Sequence, residues 1–311
     1  MTLIRRLADE AGMTEEEAKA VLAEASRKYK VFTIAKRSGG RRVIAQPAQD
    51  LKRLQRAFVS LFPLPVHAAV MSYREGISIR NNAEKHKEHR YLLKTDFHRF
   101  FPSLKPAAFW QQTAAFSSED WAQDLLQNRQ TVEALLFWRP ARKVTGKLVL
   151  SIGAPSSPSV SNFCLYTFDQ ALSEWCGQND VIYTRYADDL TFSTDVPGRL
   201  QQVYHNLKQL LRKERPYLVL NASKTVFASK RTNRHVTGLV ISNEGHISLG
   251  RDKKRRLKAL VHQAALGKLD AETLESLRGW LNFSAGVEPE FLTTLIKKYT
   301  LKTVTSIRHG D

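Results

Sequence analysis

The sequence predicts an α+β protein, a mixed core of strands and helices followed by a helical C-terminal lobe. Three observations carry this expectation. β-branched and aromatic runs at 181–185 and 190–193 flank Tyr186-Ala187-Asp188-Asp189 and read as a strand–turn–strand hairpin. Upstream, short β-prone runs alternate with stretches whose apolar residues recur at helical spacing. From Arg251 onward the pattern is helical throughout.

Taken in order, Thr14-Glu15-Glu16-Glu17 forms a capping-box pattern that opens a helix through Arg27. Residues 29–34 and 43–45 read as strands, joined by the basic glycine turn from Lys36 to Arg42. Leu51, Leu54, Phe58 and Leu61 mark a helix over 50–61, which Pro63 and Pro65 end. Residues 91–97 are a buried-strand candidate ending in a carboxylate, and Pro102 and Pro106 punctuate the stretch after it. Residues 121–138 are mostly helical in pattern, 151–159 form a Gly/Pro/Ser loop, and a helix begins near Pro158. An amphipathic helix over 199–215, a strand at 218–220, and a hairpin of 235–241 with 246–249 complete the mixed core.

Composition bounds the function. The chain has 311 residues and 42% hydrophobic content, enough for substantial packed cores. Lys and Arg number 48 against 30 Asp and Glu, a formal net charge of +18. Such an excess implies a polyanionic partner, nucleic acid above all, with an anionic membrane surface as the rival. No long uncharged apolar run is present, so no membrane span is expected. The N-terminus carries acidic residues where a signal peptide needs an apolar core, and Cys164 and Cys176 lack metal-type spacing. A reduced, cytoplasmic protein is the expectation.

Asp188 and Asp189 repel each other, and a hairpin does not need them. They become favourable when divalent cations sit between them and a third acidic group, as in metal-assisted nucleotidyl transfer. An Asp-Asp pair also suits a plain polar turn, so the hairpin alone leaves both readings open. Asp96, at the end of its strand, is the natural third carboxylate. His86, His89 and His98 are not expected to form a metal set, because no Cys or third well-spaced ligand joins them.

The order of these motifs resembles the reverse transcriptases, with the right-hand polymerase layout of fingers, palm and thumb. Asp96 with Phe100-Phe101-Pro102 is similar to the family's first acidic motif. Gly153-Ala154-Pro155-Ser156-Ser157-Pro158 with Ser161-Asn162 is similar to its template- and nucleotide-contacting loop and helix. Tyr186-Ala187-Asp188-Asp189 resembles the second acidic motif, and residues 220–225 the lysine motif after it. Asn82-Ala83-Glu84-Lys85-His86 and Val236-Thr237-Gly238 resemble the NAxxH and VTG signatures of bacterial retron reverse transcriptases. The resemblance runs from about Tyr29 to the C-terminus. It implies fingers at 1–85 and 106–150, palm at 86–105 and 151–250, and thumb at 251–311.

The resemblance also implies roles. Asp96 and Asp188 would ligate two Mg2+ ions, with Asp189 in a supporting or single-metal role and the backbone carbonyl of Phe97 completing one shell. One ion would activate the attacking hydroxyl and the other would neutralise the leaving pyrophosphate. Arg42 and Lys36 would grip the triphosphate of the incoming dNTP, with Arg41 an equally basic neighbour of Arg42. The backbone of Arg99 and Phe100 would cradle it, and Gly153, Ala154 and Pro155 would line the nucleotide site. Phe100 is expected in the core and Phe101 as a gate against the 2′-OH. Lys224 would protonate pyrophosphate or be an ordinary surface lysine. Asn82, His86, Val236, Thr237 and Gly238 would recognise RNA, although His86 and Asn82 could equally order a loop. Many relatives place Gln before the glycine of the middle motif; Ile152 stands there in this chain, so that polar contact is not expected.

The retron resemblance further implies a cognate structured non-coding RNA and priming from the 2′-OH of an internal guanosine. The product would be branched RNA-linked single-stranded DNA (msDNA), held partly as an RNA–DNA hybrid. A host RNase H would remove template, since no residues are left for such a domain. A separate effector protein would act with it in phage defence. The alternatives are another bacterial reverse transcriptase, of group II intron or diversity-generating type, or an RNA/DNA-binding scaffold that restrains a toxic effector.

Overall fold

The computed structural model describes residues 1–35, 39–141 and 146–309. Lys36 lies outside the described residues. Two helices open the chain, α1 (Leu3–Ala11) and α2 (Glu15–Glu24). α1 was not legible from periodicity, but its caps are plain. The Thr2 side chain accepts from Arg5 N, and Gly12 ends the helix at φ 64°, a conformation open to glycine. Thr14 and Glu17 form the expected capping box on α2.

β1 (Tyr29–Ala35) and β2 (Arg41–Pro47) pair antiparallel from Tyr29↔Pro47 to Ala35↔Arg41. α3 (Gln49–Leu61) buries Leu51, Leu54 and Phe58 and packs against α1, α2 and α8. α4 (Ile79–His86), unforeseen, precedes β3 (Tyr91–Asp96). The short α5 (Phe100–Ser103) leads to α6 (Pro106–Ala114). Pro106 begins α6 at its first position, where a missing N–H costs nothing, so the proline read as punctuation is a helix start. The stretch read as one helix over 121–138 breaks at Asn128 into α7 (Asp120–Gln127) and α8 (Arg129–Leu136). It ends in β4 (Phe137–Trp138), paired with β5 (Val149–Leu150). α9 (Ser157–Cys164) and α10 (Tyr166–Gly177) come after the Gly/Pro/Ser loop.

Next come β6 (Ile182–Tyr186), β7 (Asp189–Thr194), α11 (Arg199–Glu214) and the unforeseen β8 (Val226–Ser229). The central sheet has the order β6-β7-β3-β8, with every neighbour antiparallel. The expected strand at 218–220 shrinks to one bridge, Phe97↔Leu220, made by His98 N donating to Val219 O and Asn221 N to Asp96 O. The run 235–241 is likewise not one strand. It folds into β9 (Arg234–Val236) and β10 (Leu239–Ile241), with Thr237 and Gly238 at φ 46° and 81° in a two-residue turn. β11 (Ile247–Ser248) completes that three-stranded sheet. Four helices end the chain: α12 (Arg251–Ala265), α13 (Ala271–Val287), α14 (Pro289–Tyr299) and α15 (Leu301–His309).

Side chains alternate across the central sheet, so each face has its own core. Leu93, Tyr183, Leu190 and Phe192 join the large core with α9, α10 and α11. Leu92 joins a second core with Ala83 of α4, Val236, Leu239 and the C-terminal helices, through Leu257, Leu277, Leu281 and Phe291. Among the described residues no helix is long and apolar enough to cross a membrane. Both cysteines are free and buried.

Candidate active site

Antiparallel register assembles the carboxylates. β3 and β7 pair so that Asp96 lies opposite Asp189, and Tyr186 pairs with Asp189 to close a two-residue loop of Ala187 and Asp188. Ala187 sits at φ 56°, which costs a side-chain-bearing residue roughly 1–2 kcal/mol. Three hydrogen bonds hold the turn. Ala187 N donates to Ser72 Oγ (2.8 Å), Arg185 Nη1 to Ala187 O (3.1 Å), and Phe97 N to Asp188 O (3.1 Å). Beneath it, the buried Arg185 forks onto the equally buried Asp169 of α10 at 2.6 and 2.9 Å. Arg185 also donates to Asn162 Oδ1, Asn162 Nδ2 to Ser72 O, and Tyr183 O–H to Asp169. Sequence reading missed Ser72, Asp169 and Arg185 as parts of the site. Asn162, grouped with the nucleotide-contacting loop and helix, is instead wholly buried in this network.

Asp96 is 3% exposed. Its Oδ2 is ion-paired with Lys224 Nζ, and its buried Oδ1 has no partner among the described residues. Lys224 is otherwise open to solvent, and the Asp96 hydrogen bond raises its pKa. Asp188 is half-buried and Asp189 opens toward the cleft. Surrounding protein nevertheless desolvates both. It raises the Asp188 pKa and, with the charges of Asp188 and Asp96, pushes Asp189 up to about 6. Arg42 is close enough to oppose that rise at Asp188. Arg41 instead donates to Thr33 Oγ1 across the hairpin (2.7 Å). Adjacent strand residues face opposite sides, which makes Arg42 the one turned to the carboxylates.

Phe97 and Phe100 are buried and stacked at 5.6 Å, while Phe101 is half-buried, edge-on to Phe100 at 5.3 Å. Arg99 is exposed at φ 50° and accepts at its carbonyl from Ser103 N and Oγ. Ala45 N of β2 donates to Ile152 O (2.9 Å), tying the Gly/Pro/Ser loop to the N-terminal hairpin. Gly153 sits at φ 120°, and a Cβ there would stand 3.2 Å from Ala45 O, so a side chain would be crowded and strained. Ala154 is buried and Pro155 half-buried beside it.

The signature residues divide differently. Asn82, His86 and Val236 are 0–1% exposed, which leaves an RNA strand nothing of those side chains to touch. Thr237 is half-buried and Gly238 exposed. They line, with Lys94, Tyr186, Thr191 and Lys224, a cavity of about 450 Å³ beside Asp96 and Asp189.

The donors fit a hard divalent cation: carboxylate oxygens only, one of them buried and unpartnered, in mutual repulsion that a cation would relieve. Among the described residues no three His, Cys, Asp or Glu side chains already close around one ion. Lys224 holds one oxygen of Asp96, the position a metal would contest. Mg2+ characteristically takes one or two protein carboxylates and completes its shell with substrate phosphates and water.

The raised Asp189 pKa has a consequence for stability. Asp189 holds its proton more tightly folded than unfolded, so cation-free stability falls as pH rises from about 4 to about 6 and stays low above. Asp189→Asn removes that loss. Because the group opens to solvent, the gain is about 1 kcal/mol after screening. Thermal melts in chelator at pH 7.5 should show the variant above wild type, and a midpoint at or below wild type would sink the account.

The family profile described as reverse transcriptase (RNA-dependent DNA polymerase) matches residues 34–241. The chain is 38% identical over 283 residues to the retron Ec83 reverse transcriptase of Escherichia coli, covering 90% of this chain and 89% of that protein. It is 30% identical over 295 residues to the retron Ec86 reverse transcriptase of Escherichia coli, covering 91% and 86%. Among solved structures, a telomerase from Candida albicans superposes with a TM-score of 0.51 at 13% identity, over 93% of this chain and 62% of that one. That likeness is one of fold, and the fold is the right-hand polymerase. With such identity across nine-tenths of its length, the chain belongs to the reverse transcriptases, within the bacterial retron group, and is an RNA-directed DNA polymerase.

Proposed function

We propose that the chain primes DNA synthesis on a cognate structured RNA from an internal 2′-OH and makes msDNA by two-metal nucleotidyl transfer. The register that sets Asp96 opposite Asp189, with Asp188 in the intervening turn, supports the two-metal transfer, and the likeness to retron reverse transcriptases supports the RNA and msDNA. Two Mg2+ ions would supply activation of the attacking hydroxyl and neutralisation of pyrophosphate. The new bond joins that oxygen to the α-phosphorus as the bond to pyrophosphate breaks. Asp96, Asp188, Asp189 and the carbonyl of Phe97 would be the ligands. Arg42 would clasp the triphosphate over the backbone of Arg99 and Phe100, and Lys36, by the family resemblance, would join it. Gly153, Ala154 and Pro155 would back the nucleotide, and Lys224, released from Asp96, would face the leaving group.

The lobes would be fingers at 1–85 and 106–150, palm at 86–105 and 151–250, and thumb at 251–311. The setting would be cytoplasmic, with a host RNase H trimming template and a separate effector completing an antiphage system.

Phe101 supports a prediction. Its half-buried ring rests edge-on against buried Phe100, which fixes it as a wall. Phe101→Ala should narrow the preference for dNTP over rNTP by about 10- to 100-fold, the scale of a steric discrimination worth 1–3 kcal/mol. Competing single-nucleotide incorporations measure it, and unchanged discrimination would remove Phe101 from the gate.

The reading itself is tested by expressing the chain with the DNA immediately upstream of its gene. A small, branched, RNase-sensitive single-stranded DNA is expected, absent with Asp188→Ala/Asp189→Ala. Primer extension on RNA without any such product would leave the polymerase and remove the msDNA assignment.

A further inference from the structure

Asn82 and His86 lie on the face of α4 that meets the catalytic hairpin. His86 Nε2 is 2.7 Å from Thr184 Oγ1 on β6, and His86 Nδ1 is 2.8 Å from Ser193 Oγ on β7. Thr184 Oγ1 donates to Asn82 Oδ1 at 2.6 Å. That last bond sets the direction of the rest. Thr184 spends its proton on Asn82, so its oxygen accepts from His86 Nε2–H, and His86 Nδ1 accepts from Ser193 O–H. Burial holds the imidazole pKa down to about 3, so it stays neutral and the bonds run from Ser193 through His86 and Thr184 to Asn82 Oδ1 at working pH.

The other side of α4 belongs to the C-terminal helices. Ala83 sits in their core with Leu92, Val236 and Leu281. Arg80 Nη1 donates to Val287 O at the end of α13 (3.0 Å). Ile79 O accepts from Thr237 Oγ1 (3.3 Å), and Gly238 O accepts from Lys253 Nζ of α12 (2.8 Å). One helix and one turn thus span from the strands that carry Asp188 and Asp189 to the helical lobe.

We infer that α4 and the Val236–Gly238 turn are the joint that sets the C-terminal helical lobe against the catalytic hairpin. Asn82 and His86 are its positioning residues, acting through Thr184 and Ser193. The inference deepens the polymerase reading and rests on it only for its activity readout. A nucleic-acid duplex gripped by the helical lobe must reach the carboxylates in register, and a misplacement of about 1 Å can cost a hundredfold in a positioned reaction. Buried polar side chains serve here because hydrogen bonds fix direction and register, which apolar contact does not.

The test uses the full chain with spin labels at Lys208→Cys on α11 and Glu272→Cys on α13, both exposed in wild type. Buried Cys164 and Cys176, whose thiols burial pushes up to about 12, stay unlabelled. His86→Ala and Asn82→Ala are expected to broaden the inter-label distance distribution. They should shorten the DNA made per binding event roughly tenfold, the cost of an orphaned buried partner, while KM for dNTP moves less than about twofold. His86→Gln, whose amide reaches the Nε2 position, recovers most of both. Arg80→Ala cuts the joint at its far, half-exposed end and gives the same signature without emptying a core.

Unchanged distances with weakened RNA binding in the His86 and Asn82 variants would overturn the joint in favour of RNA reading. Unchanged distances and product lengths in Arg80→Ala would overturn it in favour of simple packing. Wild-type protein that extends no primer on RNA would fail the polymerase reading, while the distance measurements would still decide the joint.

Discussion

Asp188→Ala/Asp189→Ala protein should fold at least as stably as wild type, bind RNA at least as tightly, and make no DNA. Each part has its own cause. The two carboxylates repel each other and Asp96, and surrounding protein desolvates them, so their removal relieves the cation-free fold. Loss of two negative charges from a chain of formal net charge +18 strengthens attraction for a polyanion. Nucleotidyl transfer loses the oxygens that would hold the cations. Metal-borne stabilisation is worth several kcal/mol and each 1.4 kcal/mol is tenfold, so the rate should fall by about a thousandfold or more. The three readouts are a thermal melt in chelator, RNA binding at fixed salt, and primer extension on an RNA template. Residual extension within about tenfold of wild type would dismiss these carboxylates as the metal ligands. Asp96→Asn completes the comparison: it frees Lys224, which solvent already reaches, so it too should spare the fold and stop synthesis.

The legible parts of this chain are those whose information is local. The hairpin at 181–193, the capping box at Thr14 and the amphipathic α11 each announce themselves within a dozen residues, and each is present. α4 was invisible because its buried face is Asn82, Ala83 and His86, two polar residues that a hydrophobic pattern counts as surface and one small apolar residue between them. β8 is an edge strand of four residues with Val226 and Phe227 exposed, too short and too open to show alternation. The break in 235–241 was hidden because Val-Thr-Gly-Leu-Val-Ile reads as one β run, and Thr237 at φ 46° beside Gly238 at φ 81° makes it a turn.

At the site, the sequence nominated the carboxylates by type and order, and strand register brings Asp96 beside Asp189. Between Arg41 and Arg42 it offered no choice; a strand's alternation makes one. The reading of Asn82, His86 and Val236 as RNA contacts gave way to burial, a property of tertiary packing that no local pattern carries. Arg185 carried one available signal, a charge in the middle of a buried strand, and its meaning depended on Asp169 arriving from α10.

Arg185→Ala should be the most damaging single change in the protein. Arg185 and Asp169 are both wholly buried, and truncating Arg185 leaves the Asp169 charge with only the Tyr183 hydroxyl among the described residues. Breaking such a pair costs about 3–5 kcal/mol, a large part of the roughly 5–15 kcal/mol that domains possess. The thermal midpoint should drop by roughly 10 °C for a chain of this size. Arg185→Lys should fare little better, because a single ammonium cannot fork onto Asp169 while also reaching Asn162 Oδ1 and Ala187 O. The decisive protein is Arg185→Met/Asp169→Leu. Apolar pairs of similar volume often match or exceed the stability of the ion pair they replace, so the midpoint should return toward wild type. Synthesis should not return with it. The turn keeps its Ser72 and Phe97 bonds but loses the donor on Ala187 O, and Asn162 loses the partner that orients it toward Ser72. Ala187, at φ 56°, is then free to relax and to carry Asp188 away from Asp96. A stable double variant with wild-type primer extension would show that the buried pair serves the fold alone; a stable and inactive one would show that it aims the catalytic turn.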